Sequence, residues 1–109
     1  MGYLVYDGTT RIQLDDRVLA HLEIIMIIKF RRREGFPLRW RDSANDGQGR
    51  NMVWLDPSMP LRVHLDSPKA APTNREWIEQ MAEAASTNHG LELLDEQGNP
   101  VIGTLSLHP

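Results

Sequence analysis

The run Tyr3-Leu4-Val5-Tyr6-Asp7-Gly8-Thr9-Thr10-Arg11-Ile12-Gln13-Leu14 decides the start of the fold. Two stretches rich in aromatic and β-branched residues flank Asp7-Gly8. Asp-Gly takes up φ > 0 cheaply, so the run predicts a β-hairpin with strands over 3–6 and 10–14. Asp15 or Asp16 then caps a helix over residues 17–33. Val18, Leu19, Leu22, Ile25, Met26 and Phe30, spaced three and four apart, form its core stripe. Gly35 and Pro37 are its expected terminators.

Three strands follow. Residues 38–41 alternate, with Leu38 and Trp40 on one face and Arg39 and Arg41 on the other. A polar loop over 42–49 leads to a strand at 52–55. Pro57 and Pro60 then fix a tight turn before a strand at 61–65, which points Leu61, Val63 and Leu65 inward and Arg62 and His64 outward. Thr73-Asn74-Arg75-Glu76 reads as a capping box with Thr73 as the cap, opening a second helix whose apolar face is Trp77, Ile78, Met81, Ala84 and Ala85. Residues 91–94 and 101–107 are expected to close the chain as a hairpin around 95–100. The order ββαβββαββ is that of an α+β fold, a mostly antiparallel sheet with two helices. At 109 residues the chain forms one domain over 1–109, since two independent cores would not fit.

Composition narrows the function classes. Cysteine is absent, which excludes disulfides, thiolate metal sites and a cysteine nucleophile, and suits a reducing cytoplasm. The longest apolar run, Ile24-Ile25-Met26-Ile27-Ile28, is far short of the roughly 20 residues that cross a bilayer, and the first residues carry no basic leader. A cytoplasmic protein without membrane attachment is expected.

A set of signatures spread over the chain carries a resemblance. They are Met1-Gly2-Tyr3-Leu4-Val5-Tyr6, Asp15-Asp16-Arg17 with Leu19-Ala20-His21-Leu22, and Arg31-Arg32 with Glu34 and Phe36. Trp40, Trp54-Leu55 with Pro57-Ser58 and Pro60-Leu61, and Asn74 with Trp77 complete the set. From residue 1 to about 94 the chain resembles a family of small, uncharacterised actinobacterial and actinophage proteins that sometimes carry the label ATP-dependent DNA ligase. The resemblance implies no catalytic residues. The ligase label itself fails on chemistry: adenylate transfer needs a lysine in Lys-x-Asp-Gly, whereas the only lysines stand in Lys29-Phe30-Arg31-Arg32 and Lys69-Ala70-Ala71-Pro72.

Other constellations are equally unproductive. His21, His64, His89 and His108 show no metal-ligand spacing, and His21 and Glu23 point about 200° apart on a helix, so no metal or other cofactor is expected. No serine stands in a nucleophile elbow, and Gly47-Gln48-Gly49 lacks the strand-to-helix setting of a phosphate loop. The sequence points away from an enzyme.

Charge placement does rise above background. Lys29, Arg31, Arg32, Arg33, Arg39 and Arg41 put six of the twelve basic residues into thirteen positions, and Arg62 and His64 add to the outward face of a strand expected nearby. Up to residue 65 there are ten basic and eight acidic residues, and beyond it two and seven. The functional reading is a cationic patch for nucleic acid or an acidic protein surface. The plainer one is a solvated helix end, its cations offset by the helix dipole, Glu34 and Asp42. The first helix is also apolar nearly all round, with Ile24, Ile27 and Ile28 opposite its core stripe. Either the sheet and second helix sandwich it, which is favoured because Trp77, Ile78 and Met81 need a surface, or a second subunit covers Ile24 and Ile28. The sequence thus points to a small non-enzymatic binding module, with a homodimer assembled through helix 17–33 as the alternative.

Overall fold

The computed structural model describes residues 1–107; His108, the last of the four histidines, lies outside them. The elements are β1 (Gly2–Tyr6), β2 (Thr10–Leu14), α1 (Asp16–Arg31), β3 (Phe36–Arg41), β4 (Arg50–Leu55), β5 (Leu61–His64), α2 (Arg75–Ala85), β6 (Leu91–Glu92) and β7 (Thr104–Ser106). This is the expected ββαβββαββ order, and the fold is α+β with largely antiparallel pairing. The strands are divided between two sheets, however: β5-β1-β2-β7 and β4-β3-β6. The opening hairpin forms as the sequence requires, with Asp7 at φ 52 and Gly8 at φ 69 in the turn.

Helix α1 packs against β1, α2 packs against β3 and β6, and the two helices pack on each other. Between them lies a continuous core. Leu4, Ile12 and Leu14 come from the first sheet, Phe36, Leu38, Trp40 and Leu55 from the second, and Leu19, Leu22, Ile25, Trp77 and Met81 from the helices. Gly103 threads between the sheets: a Cβ there would stand 2.6 Å from the Trp40 ring and 3.0 Å from Leu14.

Four local expectations are corrected. Helix α1 does not wait for Gly35. Arg33 turns left-handed at φ 58, and the N–H groups of Arg33 and Glu34 bond back to the carbonyls of Phe30 and Lys29, closing a Schellman end on a non-glycine residue. The cap of α2 is Asn74 and not Thr73. The Asn74 side chain accepts from the Trp77 N–H at 3.2 Å, and Trp77 is buried on the apolar face where the helical spacing places it. The closing hairpin forms only at its tip. Leu94 and Pro100 bridge antiparallel, with the Asp95 N–H bonded to the Asn99 carbonyl and the Val101 N–H to the Leu93 carbonyl. The arms then part: β6, before the bridge, runs parallel to β3, and β7, after it, joins the edge of β2 in the other sheet. The sandwich expected to bury α1 on all sides is incomplete: Ile24 is half-buried, while Ile27 and Ile28 are exposed.

Charge also fastens the fold. Arg17 grips Glu96 with two parallel hydrogen bonds, Nε to Oε1 at 2.6 Å and an Nη to Oε2 at 3.1 Å, while Asn74 Nδ2 adds a third at 2.8 Å. One carboxylate thereby ties the start of α1 to the cap of α2 and the 95–99 turn. The Arg17 hydrogen bonds, then that of Asn74, hold the Glu96 carboxyl down to about 2. A carboxyl lowered in the folded state contributes stability that is complete above the ordinary glutamate range, and loses it as pH falls through the range toward its folded value. Thermal melts from pH 7 down to about 2.5 should show Glu96→Gln melting below wild type at neutral pH, with the two curves converging as pH falls below about 4. A constant gap across that window would show that the clamp contributes nothing through its charge.

Candidate functional site

Period-two alternation builds the site on β3 and β4. Phe36, Leu38, Trp40 and Leu55 turn into the core, so Pro37, Arg39 and Arg41 share the opposite face with Trp54, Met52 and Arg50. Antiparallel register sets these in three cross-strand rows: Pro37 beside Trp54, Arg39 beside Met52, and Arg41 beside Arg50. On the far side of β3, Glu92 pairs with Arg39 in register and Ile102 bridges to Arg41. Trp54 is 49% and Met52 50% exposed, large apolar groups standing in solvent among arginines.

The last row is electrostatically costly. Arg41 and Arg50 face each other directly, and like charges so placed destabilise a sheet. Among the described residues neither takes part in an ion pair. Arg39 Nε donates to the His89 carbonyl at 2.9 Å, and His89 Nε2 lies 3.2 Å from Glu92 Oε1, beside the one carboxylate in the rows. At the other end, Trp54, Pro37 and Glu34 border an open hollow of about 260 Å³ with residues 85–88.

The eight residues singled out by charge fall into separate groups. Lys29 is only 8% exposed, with Nζ 3.3 Å from Glu34 Oε1 and a hydrogen bond to Ser86 Oγ at 3.4 Å. Arg31, Arg32 and Arg33 are exposed at the end of α1. Arg39 and Arg41 lie on the face just described. Arg62 and His64 belong to the other sheet, because β5 pairs with β1 and not with β3. There the Tyr3 ring stacks on His64 with centroids 4.7 Å apart, Arg11 lies 3.8 Å over it, and Arg62 stands 5.8 Å away.

Charge placement alone does not single out Arg50, Met52 and Trp54, and a strand begun at residue 52 places Arg50 in the loop. The signal was present in the alternation Arg50-Asn51-Met52-Val53-Trp54-Leu55, whose partner became visible only with the register to β3.

His21, by contrast, is a structural joint. Its Nδ1–H donates to the Arg17 carbonyl at 2.7 Å, its Nε2 accepts the Asn74 N–H at 2.9 Å, and its ring lies against Trp77. Accepting from a backbone N–H fixes the neutral Nδ1–H tautomer. Among the described residues, no group of three His, Asp or Glu side chains is gathered as a metal ion would need, and no helix is long and apolar enough to cross a membrane.

Fold and face together define a small α+β domain with an arginine-rich, aromatic sheet surface and two packed helices. The chain belongs to the family described as Domain of unknown function (DUF7882), whose model matches residues 1–96. The match ends at Glu96, the residue that clamps Arg17, so β7 lies beyond it. No curated protein and no solved structure matches the chain.

Proposed function

We propose that the chain is a binding module, and that the outer face of the β4-β3-β6 sheet takes a single-stranded nucleic acid. The observation that carries this reading is the Arg41–Arg50 row, two directly opposed cations with Arg39 on the same face and Trp54 two rows away. An intramolecular repulsion is relieved when an anion settles between the two guanidiniums, so the face is better matched to a phosphate chain than to water. Trp54 favours a single strand over a duplex, because only unpaired bases can stack on an indole, a contact worth about 1–3 kcal/mol per base. The net charge of −3 does not oppose this, since acidic residues outnumber basic ones chiefly beyond residue 65. The ligase label gains no support from Lys29, whose amine is engaged by Glu34 and Ser86.

Fluorescence anisotropy of labelled single strands of about 12 nucleotides tests the reading. Binding is expected to weaken with salt by a slope of about −0.7 per phosphate neutralised. Arg41→Ala and Arg50→Ala should each remove about one such contact, and Arg50→Ala should also raise stability by about 0.2–1 kcal/mol as the repulsion disappears. Trp54→Ala should weaken binding with little change in slope. No binding of any single strand at low salt would sink the proposal; binding of polyglutamate in its place would assign the face to an acidic protein surface.

A further inference from the structure

Helix α1 carries an apolar centre with opposite charges at equal distances on either side. Ile27, 56% exposed, stands in the middle of the stripe Glu23–Ile27–Arg31, spaced four and four. Beside the stripe runs a groove of about 590 Å³, walled by Met26, Ile27 and Phe30 on one side and Pro57, Met59 and Leu61 on the other, with Glu23 and Arg31 also lining it. Eight residues of helix separate Glu23 from Arg31 by about 12 Å along the axis, so they do not pair within the helix. Neither takes part in any other ion pair among the described residues.

We infer that a second copy of this chain docks on this face, its α1 antiparallel to the first and crossing it at Ile27 on a two-fold axis. The arrangement of charge selects a second copy over an unrelated partner. A stripe reading acid–apolar–base is its own complement when reversed, so each Glu23 meets the second copy's Arg31 and two ion pairs flank an Ile27–Ile27 contact. That is the condition of an isologous interface, in which one patch serves both sides. Ile28, 36% exposed, and the groove wall extend the apolar contact, giving the apolar centre and charged rim of a specific interface. The contact centres on Ile27, between the Ile24 and Ile28 suggested by helical periodicity. Ile24 instead lines a separate cavity of about 250 Å³ with Leu65 and Ala70.

Sedimentation velocity of the full chain across the micromolar range is the test. Wild type is expected to show a monomer–dimer equilibrium. Glu23→Arg and Arg31→Glu alone each place two like-charge pairs in the interface and should weaken dimerisation by about tenfold or more, while the double reversal should restore it to within about threefold. Ile27→Asp should leave a folded monomer, with its circular dichroism unchanged because the side chain is exposed. A wild-type monomer throughout the range would overturn the inference. So would a dimer indifferent to the single reversals, or one that the double reversal fails to rescue.

Discussion

Gly90→Ala is expected to destabilise the protein by about 2–5 kcal/mol, read as a fall in the urea midpoint at unchanged slope. Two costs combine. Gly90 sits at φ +84, where an L-residue brings Cβ against the carbonyl, at about 1–2 kcal/mol. The added Cβ would also stand 2.5 Å from Pro37 Cγ and 2.6 Å from the Pro37 carbonyl oxygen. Neither neighbour yields easily, one belonging to a rigid ring and the other to the backbone of β3, so overpacking adds about 1–3 kcal/mol. The position is also critical for topology. The Gly90 N–H bonds to the Thr87 carbonyl at 3.1 Å, and the next residue, Leu91, opens β6 and pairs in parallel with Leu38. Gly98 supplies the control: it has φ +86 but no neighbour within 4 Å, so Gly98→Ala should incur only the conformational cost. Equal losses at both positions would show that the approach to Pro37 is immaterial.

Gly90 also marks the boundary between local and long-range determinants of the fold. Local signals were legible: Asp7-Gly8 turned the first hairpin, three-and-four spacing found the buried stripe of α1, and the alternation of Leu38 and Trp40 placed Arg39 and Arg41 outside. Pairing between distant segments was not. Strands β6 and β7 are two and three residues long, too short for a periodic pattern, and each is defined by a strand far away in sequence. The same limit hid the site. Arg41 was visible as a cation, but its electrostatic meaning comes from Arg50 across the 42–49 loop, and no periodicity reveals which residue a loop of that length brings opposite. Arg33 shows the reverse failure. The sequence offered Gly35 as the stop, yet the chain turned left-handed two residues earlier at an arginine, while Gly35 serves a close approach in which a Cβ would lie 2.8 Å from the Leu55 carbonyl oxygen.

The second large effect is expected at Ile25, where truncation to alanine should cost about 2–5 kcal/mol, the range for deleting a buried aliphatic side chain and leaving a cavity. Ile25 is wholly buried in the cluster that joins both sheets to both helices, so relaxation is limited and the upper part of the range is favoured. Against a domain stability of about 5–15 kcal/mol, such a loss is enough to lower soluble yield. Ile25→Val, which removes one methylene, should cost about 0.5–1.5 kcal/mol and so grade the cavity. Ile27 gives the contrast, two residues along and about 200° around the same helix. Its side chain is already largely in water, and alanine is the better helix former by a few tenths of a kcal/mol, so Ile27→Ala should leave the monomer as stable as wild type or slightly more so. Measured at protein concentrations low enough to keep the chain monomeric, the two substitutions therefore separate what the core needs from what α1 presents outward. An Ile27→Ala loss approaching that of Ile25→Ala under those conditions would place Ile27 inside the core, contradicting both its exposure and the interface built on it.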